Sequence, residues 1–217
     1  MTQETAHLST VDIACQCGHV RGLLDRSPLQ FANRVICYCD DCQAFAHALG
    51  RPDILDANGG TDIVQIPPAA LTITQGVDRI VALRLTEKGL YRFYSSCCRT
   101  PLGNTIGPMI PFIGIPRQAL EASGQDPNRL VGPVVGAVHG EYAIGGPPPY
   151  SRGVALRLLT RAVARVVFWR LSGRAWPHPY FNRTSRKPIY PVEVLPSERR
   201  RALRALCGPD VRDSNMH

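Results

Sequence analysis

The chain of 217 residues is short of several things. It has no uninterrupted run of 18 or more apolar residues, so no segment reads as a transmembrane helix. Its opening stretch, MTQETAHLSTVDIAC, is polar and lacks the apolar core of an export signal. That reading makes a cytoplasmic protein the expectation. No internal repeat and no low-complexity segment is visible, which argues against solenoids and arrays. Acidic residues are scarce toward the end. Residues 151–217 carry 14 basic and 4 acidic side chains, a net +10, whereas residues 1–150 carry 11 and 13, a net −2. The overall charge of +8 therefore belongs to the tail, and any argument about acidic partners concerns the tail alone.

Glycine and proline are plentiful, 19 of each, and 44% of the chain is apolar. That combination points to a mainly β, turn-rich body with a sizeable core rather than a helix bundle. VDIACQCGHVRGLL reads as a strand, a turn at Cys15–Gly18 and a second strand; RVICYC reads as another strand. A short helix is expected from Asp40 or Asp41, as cap, to about Leu49, with Gly50 and Pro52 ending it. NGGTDIVQIPP, ALTITQG, RIVALRLTEKG and LYRFYSS supply further strands, PLGNT a turn, and GPMIPFIGIP and GPVVGAVHGEYAIGG strands or close-packed loops. GGPPPYSRG is the sharpest break in composition and divides a body, residues 1–148, from a basic extension, residues 149–217. The extension contains the best helix candidate, VALRLLTRAVARVVFWRL, with Arg157, Arg161 and Arg165 on one face. It closes with SERRRALRALCG, a basic helix with Ser197 as cap and Gly208 as stop.

Chemistry is concentrated in the cysteines: Cys15, Cys17, Cys37, Cys39, Cys42, Cys97, Cys98 and Cys207. The C-x-C and C-C spacings suit disulfides poorly. Thiols grouped by twos and threes in a reducing compartment more often hold a metal. Thiolates suit Zn²⁺, which takes four ligands in a tetrahedron. In CYCDDC, the C-x-C and C-x-x-C spacings overlap, so Cys37, Cys39 and Cys42 can face one ion. Three protein ligands leave a fourth position open, as in catalytic rather than structural zinc sites. Cys15 and Cys17 form a second pair in need of distant partners, and Cys97 and Cys98 are the remaining adjacent pair.

The blocks CQCG, CYCDDC and YSSCCRTPLGNT, in this order over residues 10–106, resemble the glutathione-dependent formaldehyde-activating enzyme family. The resemblance implies an Mss4-like fold, a β-tent carrying zinc. It implies that Cys15, Cys17 and Cys98 are structural ligands and that Cys37, Cys39 and Cys42 are the reactive site. The third block departs from the family pattern. Ser95 stands where the first cysteine is expected, Arg99 where the glycine is expected, and Cys97 is an extra thiol. Three alternatives follow: Cys97 replaces the missing ligand, the structural site is incomplete, or Cys97 closes the site of Cys37, Cys39 and Cys42.

Other residues have plainer readings. His47 is a packed or surface histidine before it is a base or a ligand. Asp40 and Asp41 are helix-capping residues or acceptors that orient the ligands. The stretches Gly59–Asp62 and Gly103–Thr105 are ordinary turns before they are donors of backbone N–H groups to a bound carboxylate or peptide, and Cys207 is a lone thiol. The expected function is that of a zinc-dependent carbon–sulfur lyase-like enzyme acting on a glutathione-type thiol adduct. The alternative is a non-catalytic zinc module whose basic helix binds a partner or a membrane surface. The expected partners are glutathione or another small thiol adduct, a second copy of the chain, and a membrane touched by residues 154–171. Nucleic acid ranks last, because the tail carries no recognition motif.

Overall fold

The computed structural model describes residues 9–29, 32–148, 151 and 155–209. The architecture is mainly β, with two sheets. Strands β1 (Thr10–Ala14), β2 (Arg21–Asp25) and β5 (Leu71–Gln75) form an antiparallel three-stranded sheet in the order β1-β2-β5. The larger sheet contains β3 (Asn33–Cys37), β4 (Thr61–Ile66), β6 (Ile80–Arg84), β7 (Tyr91–Ser95), β8 (Pro101–Thr105), β9 (Ile113–Pro116), β10 (Gly136–Val138) and β11 (Val192–Val194). Its order is β10-β3-β4-β9-β8-β7-β6-β11. The interior pairings are antiparallel, and the two outermost strands, β10 and β11, add in parallel to β3 and β6. Parallel partners need long connections, and here the chain returns to each edge from a distant part of the sequence.

Among the described residues five α-helices decorate the sheets: α1 (Asp40–Ala48), α2 (Arg117–Glu121), α3 (Pro127–Val131), α4 (Ala155–Leu171) and α5 (Ser197–Arg204). The short α2 and α3 lie in a stretch with no helical periodicity long enough to read. PLGNT is not a turn: it is β8, and all five of its residues are buried. Its Pro, Gly and Asn read as turn chemistry, but β8 lies between β7 and β9, and Gly103 leaves room for the phenol of Tyr180. The expected helix caps also move. Cys39, not Asp40 or Asp41, is the cap of α1, and Pro196 precedes Ser197 at the start of α5 with no side-chain cap.

The main core joins both sheets. Val11, Ile13, Leu24, Val64, Ile66, Phe93, Leu102, Ile113 and Ile115 pack with Tyr180 and Phe181 from beyond the composition break. The Tyr180 ring stacks on Phe93 at 3.9 Å, and its hydroxyl donates to the Leu102 carbonyl at 3.2 Å. Such a pair adds roughly 0.5–1.5 kcal/mol beyond the burial of its area. Residues from Trp176 to Tyr190 therefore contribute to this core. A smaller core of Ala44, Phe45, Leu49, Leu83, Leu85 and Leu195 ties α1 to β6, with Leu203 of α5 against it.

Helix α4 packs through Leu158 and Trp169, both buried. Trp169 is thus a body contact and not available as an interfacial anchor. Arg165 is half-buried, and burial lowers its pKa, so the arginine stripe does not face solvent along its whole length. Leu156, Leu159, Val163, Val167, Phe168 and Leu171 are exposed, and they recur at helical spacing. Among the described residues no helix is long and apolar enough to cross a membrane.

Candidate metal centres

The first thiol group is built from two turns. Between β1 and β2 the backbone N–H of Gly18 donates to the Cys15 carbonyl at 2.8 Å, and that of Cys15 to the Val20 carbonyl at 3.0 Å. Gly18 has φ 76°, a left-handed value that glycine adopts without strain. The turn brings Cys15 and Cys17 side by side, their sulfurs 3.5 Å apart. The second turn joins β7 to β8. The N–H of Arg99 donates to the Ser95 carbonyl at 2.9 Å, and Arg99 itself is left-handed, with φ 56°. A glycine would hold that conformation at lower cost, which accounts physically for the glycine expected at this position.

This tight turn settles where Cys97 goes. Adjacent strand residues point to opposite faces, but Cys97 and Cys98 lie in the turn, outside the strands. The sulfurs of Cys15, Cys17, Cys97 and Cys98 all lie within 4.8 Å of one another. Cys97 sits 3.9 Å from Cys15 and 3.3 Å from Cys17. Four sulfurs at ~2.3 Å from a tetrahedral zinc would be spaced by about 3.8 Å, so the group fits a metal ion. Ser95 is fully buried and takes a supporting role. Its hydroxyl accepts from the Thr100 N–H at 3.0 Å and lies 3.2 Å from the Cys98 sulfur. Nδ1 of His19 lies 3.2 Å from Cys17, and this contact is the first cause of a Cys17 thiol pKa lowered to about 5.

The second group sits where a strand hands over to a helix. Cys37 ends β3, paired with Thr61 on one side and Val138 on the other. The next residue, Tyr38, is fully buried, and its hydroxyl donates to Asp56 at 2.9 Å. The two-residue alternation of extended chain then returns Cys39 to the side of Cys37. Cys39 caps α1: its sulfur accepts from the Cys42 N–H at 3.3 Å. Cys42 stands in the first turn of α1, where unpaired N–H groups and the helix dipole favour a thiolate. The sulfur distances are 3.4 Å for Cys37–Cys39 and 3.7 Å for Cys37–Cys42. The buried Gln43 fastens α1 in place, donating to the carbonyls of Tyr38 at 2.7 Å and Tyr142 at 3.0 Å and accepting from the Gly208 N–H at 2.8 Å.

Among the described residues this group contains three ligand-capable side chains, Cys37, Cys39 and Cys42. His47, Asp40, Asp41, Cys97 and Cys207 are not part of it. Asp40 and Asp41 instead form ion pairs with Arg204 of α5. Hydrogen bonds from Cys37 and Cys39 hold Cys42 well below the ordinary thiol range, against its burial and aided by the charge of Arg92. The same contacts push Cys37 up. A divalent cation bound there would displace the protons that the three thiols carry.

Beside this group stand Arg92, which the sequence reading does not single out, and Thr61, which it places only in the turn Gly59–Asp62 and which is instead the first residue of β4. Arg92 of β7 is 1% exposed, and Thr61 of β4 is buried; both line a narrow pocket with Cys42, Phe45 and Asn104. Their only sequence signal is a polar residue on a buried strand, which names no partner.

No curated protein sequence matches this one. Among solved structures, one of a Rhodobacter sphaeroides protein aligns with a TM-score of 0.39 and 15% identity, covering 55% of this chain and 94% of that one. A similarity of that size assigns no fold. The family model that matches is the family of unknown function DUF6151, over residues 8–193. That span is most of the chain, and the protein belongs to this family.

Proposed function

We propose that the protein binds two zinc ions: a closed structural one at Cys15, Cys17, Cys97 and Cys98, and an open one at Cys37, Cys39 and Cys42. We read the open site as a carbon–sulfur lyase-type centre for a thiol adduct, in the manner of the formaldehyde-activating enzymes that the cysteine blocks resemble. The observation that carries the reading is the unequal count, four thiols in one group and three in the other. A zinc at the open site would supply a Lewis acid and a position for a substrate sulfur. The chain's own part is to hold that position. Cys37 and Cys42 are buried and pack with Ile63, Phe45 lines the pocket beside Cys42, and the N-terminus of α1 with Arg92 favours negative charge. For a hydroxymethyl thioether, the carbon–sulfur bond breaks, its electron pair goes to sulfur, the hydroxyl proton is lost and formaldehyde leaves.

Metal analysis of reduced protein tests the foundation, with two zincs expected in the wild type and one in a Cys37/Cys39/Cys42 triple-alanine variant. NMR exchange between ¹³C-formaldehyde and its glutathione adduct tests the chemistry. Acceleration by the wild type but not by Cys42→Ala supports the lyase reading, and equal rates with and without protein sink it.

A second reading concerns α4. Its exposed apolar stripe lies next to exposed Arg157, Arg161 and Arg170. Two such helices would repel one another, so the charge favours an anionic membrane surface over a second copy. Co-sedimentation with phosphatidylserine vesicles, lost in a Leu159→Glu/Phe168→Glu variant, is the expected result. Equal recovery with neutral vesicles would remove the electrostatic part, and no binding would remove the reading.

A further inference from the structure

Two arginines are almost wholly buried in the larger sheet, and they differ completely in company. Arg34 is saturated. It donates to Asp62 through Nε and Nη2, with a closest approach of 2.6 Å, and through Nη1 to Asn128 at 2.7 Å and the Gly132 carbonyl at 3.0 Å. Arg92 has no hydrogen bond at any of its three side-chain nitrogens, all buried. Its nearest carboxylate is Asp41 at 4.0 Å, the outer limit of an ion pair, and Asp41 is already engaged by Arg204. The guanidinium otherwise lies over the Phe45 ring, 5.7 Å from its centre.

A guanidinium presents five donors in a planar fork that matches a carboxylate. Buried donors without acceptors are rare, because desolvation goes uncompensated. Arg92 and Cys42 line the same pocket, and so does Thr61, whose hydroxyl is a further buried group without a hydrogen bond. Register explains the convergence. Thr61 lies opposite Cys37 across β3–β4, and Arg92 pairs with Asn104 across β7–β8, which places it on the face of β7 turned toward α1. Tyr94, two residues on, meets Phe45 of α1 edge-on from that same face. The closed part of the pocket has room for about one water-sized atom, so a single carboxylate oxygen reaches the Arg92 and Thr61 donors while the rest of the acid stays toward the Cys42 side, and a tetrahedral phosphate does not enter.

We infer that Arg92, with Thr61, is a carboxylate receptor, and that the open site formed by Cys37, Cys39 and Cys42 takes a compact thiol bearing a carboxylate. The inference rests on the open-site reading above and narrows it: the sulfur goes to the metal position and the acid end to Arg92. In this arrangement the ligand supplies the acceptors that the fold leaves out.

The test uses the full chain loaded with Co²⁺, whose sulfur charge-transfer absorption reports each thiolate added. It is titrated with 3-mercaptopropionate, 2-mercaptoethanol and cysteamine, short thiols ending in an anion, a neutral hydroxyl and a cation. The expected result is at least tenfold tighter binding of mercaptopropionate than of mercaptoethanol, with cysteamine weakest. Arg92→Met abolishes the preference, and Arg92→Lys keeps part of it. The wild-type series stands alone if Arg92→Met does not fold. Equal affinities for the three thiols, or a preference that survives in Arg92→Met, overturn the receptor while leaving the open site intact. No spectral change with any thiol, in protein that holds two Co²⁺, overturns the open-site reading and the receptor together.

Discussion

The two thiol groups differ in nearly everything but their chemistry. One joins two hairpin turns about 80 residues apart in sequence, has four sulfurs, and leaves Cys17 and Cys97 exposed. The other lies within six consecutive residues, has three sulfurs, and is mostly buried beneath a helix start. A long-range group with a full ligand set is built to hold the fold together, because closing it constrains a long stretch of unfolded chain. A local group constrains almost nothing, and on the reading proposed above its burial with three thiols leaves a position for an incoming ligand. Burial and ligand count, not the mere presence of cysteine, separate a staple from a site.

The largest effect expected from that contrast is on stability. Cys15→Ala should lower the melting temperature by roughly 10 °C, the equivalent of several kcal/mol in a chain of this size. Thermal unfolding followed by circular dichroism checks it. A shift no larger than that of Cys42→Ala would erase the distinction.

Next is the replacement of the expected cysteine. Cys97→Ala should weaken metal binding at the first group by about 100-fold or more, beyond the 10–100-fold typical of groups that only orient a ligand. Ser95→Cys in that background should restore it, since the Ser95 hydroxyl already lies 3.2 Å from the Cys98 sulfur. Competition with a chromophoric chelator measures both variants.

Cys42→Ala should remove one metal equivalent yet cost only about 1–2 kcal/mol, the loss of one buried sulfur, or some 3–6 °C. Retention of the full metal content would remove Cys42 from the ligand set.

The smallest effect is a control for acid sensitivity unrelated to either group. Burial lowers the pKa of His178 to about 4, and its Nδ1 accepts from the Tyr180 N–H at 3.2 Å, so it is neutral when folded. The unfolded histidine binds its proton near pH 6.5, so stability is complete above that value and falls as pH drops toward 4. About 1 kcal/mol should be lost by pH 5.5. His178→Phe should flatten that part of the pH profile in metal-loaded protein, and an unchanged slope would assign the loss elsewhere.

Much of this was readable from residue types. The alternating runs around Val11, Leu23, Ile73 and Phe93 announce strands, and the overlapping spacings at Cys37, Cys39 and Cys42 announce a site. PLGNT reads as a turn, but its turn-forming residues serve a central, fully buried strand, where packing against Tyr180 overrides local preference. The caps of α1 and α5 shifted by a residue because a sulfur and a proline, not the carboxylate and hydroxyl expected, precede those helices. The role of Arg92 is not legible in LYRFYSS, because nothing there reveals which strand face is closed or what stands opposite it.

By itself, then, the sequence determined the mainly β character, the clustering of thiols at ligand spacing and the charge of the tail. These are local or compositional properties, carried by residue type and spacing. Tertiary structure alone decided that Cys97 joins Cys15, Cys17 and Cys98, that Cys37, Cys39 and Cys42 stay three, and that residues from Trp176 to Tyr190 contribute to the core and β11 edges the larger sheet. Each of those outcomes depends on which distant segments share a few ångströms of space. Loop closure and burial set that proximity, and no stretch of sequence holds it alone.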